Sequence, residues 1–169
     1  TNEKYTVSAL KYRPNSWDTI IGQQNIATTL QQAIQSNQLA QAYLFCGPRG
    51  VGKTSTARLF AKEINLKYES NLKDFTYNIY ELDAASNNQV DDIRNLNDQV
   101  RIPPQKGKYK VYIIDEVHML SQSAFNAFLK TLEEPPPHAI FILATTEKHK
   151  IIPTILLSLI HISEPTRPL

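Results

Sequence analysis

A single cysteine occurs among 169 residues. That excludes a disulfide framework and any cysteine-rich zinc module, and it fits a protein of the reducing cytoplasm. Glycine is also scarce, five in all, far below what a collagen-like chain needs. No uninterrupted apolar run approaches the roughly 20 residues of a membrane-spanning helix. No signal-peptide pattern is present either, so a cytoplasmic location is expected. Charge of one sign is short as well: 18 Lys and Arg against 16 Asp and Glu leave a net +2. That is too little to argue for nucleic acid by itself. What remains is 41% hydrophobic and 20% charged, the composition of one medium globular domain rather than a disordered chain.

The apolar pattern alternates between strand-like and helix-like stretches. Residues 24–36 set Ile26, Leu30, Ala33 and Ile34 on one helical face, and 53–64 do the same with Ala57, Phe60, Ala61 and Ile64. Val90, Ile93, Leu96 and Val100 mark a third helix, stopped by Pro103 and Pro104. Phe125, Phe128, Leu129 and Leu132 mark a fourth, with Ser121 as its expected N-cap and Pro135–Pro137 as its stop. Between them, 42–46, 110–115 and 139–144 are apolar nearly throughout, as strands covered on both faces are, while 77–83 alternates with period two. The polar stretch 65–76 reads as a surface connection. Strand–helix alternation of this kind predicts an α/β fold, a mostly parallel sheet with helices on both faces.

Gly47-Pro48-Arg49-Gly50-Val51-Gly52-Lys53-Thr54 matches the pattern G-x-x-x-x-G-K-[ST]. The glycines let consecutive backbone N–H groups curl inward on phosphate oxygens, and the following helix adds its positive N-terminal end. Lys53 would reach the β- and γ-phosphates of ATP, and the Thr54 hydroxyl would ligate Mg²⁺. A glycine-rich turn can end in Gly-Lys-Thr by chance. Here it sits between an apolar strand and an amphipathic helix, the context the motif requires.

The run from Val111 ends in Asp115 and Glu116. Strand alternation sends neighbouring side chains to opposite sides, so the two carboxylates divide the work. Asp115 is the candidate for Mg²⁺ and Glu116 for polarising the water that attacks the γ-phosphate. A solvated Asp-Glu at a strand end is the bland alternative, made weaker by the phosphate-loop pattern upstream. His118 reads equally as functional or as a half-buried structural residue. Thr145 and Thr146 close the last strand, where a hydroxyl could sense the γ-phosphate or its water; strand propensity alone would also put threonines there.

Taken together, Lys11-Tyr-Arg-Pro14, Ile21-Gly-Gln23, Leu44–Thr54, Glu81–Asn87, Tyr112–Leu120, Ala127–Pro136 and Leu143–Thr146 resemble the clamp-loader ATPases of the DNA polymerase III gamma/tau family, within the AAA+ superfamily. The resemblance implies ATP and Mg²⁺ as cofactors, with the phosphate-loop residues, Asp115 and Glu116 in the roles above and Thr146 at the sensor-1 position. It further implies that Arg13, Pro14, Ile21 and Gly22 pack around adenine, and that Arg94 or Arg101 faces DNA. Implied partners are other clamp-loader subunits, the sliding clamp and primed DNA, with ATP hydrolysis driving clamp loading in replication. Many members hold zinc through four cysteines after the phosphate-loop helix; Ile64–Thr76 has none, so no zinc is carried over. An ATPase-inactive structural subunit and a DExH-type helicase fragment are the competing readings. Nothing suggests a polymerase active site, which would need its own carboxylate pair.

After Leu156 the resemblance ends. Residues 157–169 read as a translated sequencing adapter, so we expect a nucleotide-binding domain over 1–156 and a non-native tail beyond it. The family's fifth strand, lid and collar would then be missing. Strand 42–46 is expected to become an exposed apolar edge, and the chain to have little activity alone.

Overall fold

A computed structural model describes residues 8–13, 16–20, 26–47, 53–147 and 150. Strands β1 (Ser8–Arg13) and β2 (Ser16–Ile20) precede helix α1 (Ile26–Gln35). Then follow β3 (Ala42–Cys46), α2 (Lys53–Tyr68), β4 (Ile79–Asp83) and α3 (Val90–Val100). The order closes with β5 (Lys110–Asp115), a short 3-10 turn at Val117–Met119, α4 (Gln122–Glu133) and β6 (Ala139–Thr145). All six strands join one sheet in the order β2-β1-β3-β6-β5-β4. The four strands β3, β6, β5 and β4 are parallel, as the strand–helix alternation requires.

The pleat sorts the core into two layers. Ala42, Leu44 and Cys46 of β3, Tyr112 and Ile114 of β5, and Ala139, Phe141 and Leu143 of β6 pack with the apolar faces of α3 and α4. The residues between them, Tyr43, Phe45, Val111, Ile113, Ile140, Ile142 and Ala144, pack with α1 and α2. Every residue of β3 and β6 is buried. Cys46 is one of these core residues, as its position before the phosphate loop suggests.

Two expectations need correcting. Strand β3 is not an exposed edge: β1 pairs with it antiparallel over Ser8↔Cys46 to Tyr12↔Ala42, and β2 then covers β1. A hairpin from the N-terminal segment occupies the place beside the phosphate-loop strand, so the apolar edge has a partner. The connection after the phosphate-loop helix also begins later than the polarity of 65–76 suggests, because α2 runs on to Tyr68. Tertiary contacts hold that last turn. The Lys67 ammonium donates to the Ile34 carbonyl and to Asn37 Oδ1, and the Tyr68 hydroxyl donates to Asn37 Oδ1 at 3.0 Å. Asn37, at φ 56°, ends α1 with Gln38 N–H on the Ala33 carbonyl and its own N–H on that of Ile34, a Schellman arrangement.

Candidate nucleotide site

The order β3-β6-β5 brings the C-terminal ends of three parallel strands side by side. One carries Gly47, one Thr145 and Thr146, and one Asp115 and Glu116. A crevice at the carboxyl ends of such strands is where ligands bind in open α/β sheets. Gly47 is tied to this row by its N–H, which donates to the Thr145 carbonyl at 3.2 Å.

Lys53 opens α2 and is buried. Its ammonium donates to the Gly47 carbonyl at 2.6 Å, so both ends of the motif meet. Pro48, Arg49, Gly50, Val51 and Gly52 lie outside the described residues, as do Pro14, Ile21 and Gly22. Arg13 ends β1.

Thr54 lies on α2 and Asp115 at the end of β5, yet the Thr54 hydroxyl donates to Asp115 Oδ2 at 3.4 Å. The other carboxylate oxygen, Oδ1, accepts the Glu116 N–H at 2.9 Å. A hydroxyl and a carboxylate, both half-buried, are hard oxygen donors of the kind Mg²⁺ takes. These residues therefore fit the ion that the motif calls for. Among the described residues no three His, Cys, Asp or Glu side chains converge on a point that could hold a metal ion.

Glu116 does turn away from Asp115, though not because of the strand pleat. The strand ends at Asp115, and Glu116 takes a left-handed conformation with φ 52° and ψ 47°. Few side chains other than Asn, Asp or Gly adopt it without cost, and such strain collects at functional sites. This reversal sends the Glu116 carboxylate toward the end of β6, where Thr146 Oγ1 donates to its Oε2 at 3.3 Å. The same oxygen lies 3.4 Å from His118 Nε2. On the far side of the ring, Nδ1 sits 2.9 Å from Thr145 Oγ1.

Glu116 and Thr146, singled out from sequence, are thus brought together. Sequence reading left His118 and Thr145 undecided, and the contact between them was not foreseen. The contact follows from the register of β5 on β6, in which Ile114 pairs with Leu143, so residues past the end of β5 come beside the last residues of β6. Arg94 and Arg101 stand elsewhere, on and just after α3; both are exposed, and Arg94 pairs with Asp91 at 3.2 Å.

The family model for the DNA polymerase III delta subunit matches residues 22–163. The chain belongs to that family. The resemblance read from its motifs is borne out by relatives of the tau and gamma kind. The chain is 51% identical over 158 residues to DNA polymerase III subunit tau of Bacillus subtilis, covering 86% of this chain and 28% of that protein. A DNA polymerase III gamma subunit-related protein of Thermotoga maritima shares the fold at TM-score 0.59 and 26% identity, over 76% of this chain and 43% of that one. A RuvB variant from the same organism matches at TM-score 0.54 and 22% identity, over 76% and 40% of the two chains. That last likeness is one of fold. The α/β class read from the sequence stands, with the β1–β2 hairpin added to it. Among the described residues no helix is long and apolar enough to cross a membrane.

Proposed function

We propose that this chain is the nucleotide-binding part of a cytoplasmic clamp-loader ATPase. The observation that carries the reading is the meeting of Thr54 with Asp115, next to Lys53 on Gly47 and Glu116 on Thr146. Lys53 would exchange the Gly47 carbonyl for the β- and γ-phosphate oxygens of ATP, a stronger, charge-assisted partner. Thr54 and Asp115 would hold Mg²⁺. The bound metal nucleotide supplies the transferable phosphoryl group and a divalent charge that offsets phosphate repulsion. Glu116 would orient and polarise a water toward that phosphoryl group, and Thr146 would report its presence to β6. By kinship with the tau and gamma relatives, the output is a conformational change passed to other clamp-loader subunits, a sliding clamp and primed DNA.

Titration of the chain with ATP and Mg²⁺, by calorimetry or equilibrium dialysis, tests the reading. Saturable binding is expected in the wild type. Lys53→Ala should weaken it by roughly 10- to 100-fold, the value of one lost charged hydrogen bond. Equal binding by Lys53→Ala, or no saturable binding up to millimolar nucleotide, sinks the proposal.

A further inference from the structure

His118 stands between two groups at the carboxyl end of the sheet. Thr145 Oγ1, on the Nδ1 side, is wholly buried. Among the described residues it has two hydrogen-bond neighbours, the Glu147 N–H at 2.9 Å and His118 Nδ1 at 2.9 Å. The Glu147 N–H can only donate, so Thr145 accepts from it. The buried hydroxyl proton needs an acceptor, and among the described residues Nδ1 is the one within reach. Nδ1 therefore carries no proton. In the neutral ring the proton sits on Nε2, the nitrogen that faces Glu116 Oε2 at 3.4 Å.

We infer that His118 is a positioning residue for Glu116: Thr145 holds it as the Nε2–H tautomer, so that together with Thr146 it fixes Oε2 of the carboxylate and leaves Oε1 to the attacking water. The inference rests on the ATPase reading above. Among the described residues no hydrogen bond reaches Oε1. The 3.4 Å separation exceeds the roughly 2.7–3.2 Å of a formed N–H···O bond, and this positioning requires it to close when substrate is in place, as catalytic hydrogen bonds commonly do. Both side chains are largely shielded, at 11% and 14% exposed, so the contact is little diluted by water. Without His118, Oε2 keeps, among the described residues, only the 3.3 Å bond from Thr146, and the carboxylate gains rotational freedom. The left-handed backbone at Glu116 has already aimed it; the imidazole sets its final rotation.

Three variants and three readouts decide the matter. The full chain labelled with ¹⁵N-histidine is examined by NMR at about pH 8.5, well above the ordinary imidazole value of about 6.5. His118 is expected as the Nε2–H tautomer, and Thr145→Val is expected to turn it into a mixture. ATP binding and the small turnover expected of the chain alone are then compared. His118→Ala should lower kcat about tenfold while ATP affinity changes less than about twofold, the usual weight of a group acting through another. His118→Gln, whose amide nitrogen can stand in for Nε2–H, should recover most of the loss. An Nδ1–H tautomer in the wild type overturns the inference. So does unchanged kcat in His118→Ala, an equal loss in His118→Gln, or a loss of binding in place of turnover. Failure of the wild type to bind ATP overturns the ATPase reading instead, and the tautomer result tells the two failures apart.

Discussion

Tyr112 is wholly buried in the sheet, stacked on Tyr80 at 5.1 Å and on Phe141 at 5.6 Å. Burial, with a smaller contribution from Tyr80, pushes its phenol far above the ordinary value. The native state therefore keeps a proton that the unfolded chain gives up above about pH 10. Stability must fall as pH rises through that range, because the unfolded state then binds fewer protons than the native one. Lys110 acts in the opposite sense. Burial lowers its ammonium pKa, so the native state sheds that proton first and gains stability as pH climbs. Its charge is offset by the Gln99 and Ile102 carbonyls, each 2.9 Å away in the last turn of α3 and just beyond it, where a cation suits the helix dipole. Tyr112→Phe should flatten the fall of Tm between about pH 9 and about pH 11. Near neutrality it should cost at most about 1 kcal/mol, since the hydroxyl makes one long bond, 3.4 Å to the Gln99 carbonyl. Parallel Tm curves for variant and wild type would refute this. The positions of the candidate site residues are legible in the sequence: Lys53, Thr54, Asp115 and Glu116 stand at fixed offsets from strand ends, and the topology aligns those ends. The tautomer of His118 was not legible, because it depends on the burial of one hydroxyl two elements away.

Helix α4 shows how an element's ends come to be readable. Ser121, in extended conformation, accepts the Ala124 N–H at 3.2 Å. The prolines at 135–137 stop the other end, and Phe128 packs edge-on against Phe141 of β6. Ser121→Ala should cost about 1 kcal/mol, lowering Tm by about 2–4 °C for a chain of this size. Ser121→Asp, which keeps an acceptor, should hold Tm nearer the wild type. A thermal scan in which all three coincide would show that packing alone holds the helix. Strands β1 and β2 were not legible because their residues show neither a long apolar run nor strict alternation. They exist because β1 pairs with β3 and β2 with β1, and the first of these is a long-range event invisible to any local window. The end of α2 was missed likewise: Asn65 is buried with its amide on the Ala61 carbonyl, a polar residue that looks like loop until its surroundings are known.

At the scale of the molecule, the sheet is graded from centre to edge. Strands β6 and β5 have partners on both sides and helices over both faces, whereas among the described residues β4 has a partner only in β5 and is half-exposed. Amide exchange into deuterated water should follow this grading. Amides of β5 and β6 should exchange only through global unfolding, with those of β4 ahead of them. Uniform exchange across the four parallel strands would contradict the layout. The left-handed turn at Glu116 bears on this in another way. It is joined directly to β5, so its strained backbone is mounted on one of the parts of the molecule least able to breathe. A carboxylate set there inherits the stillness of the strand behind it, and its aim is upheld by the core rather than by its own loop.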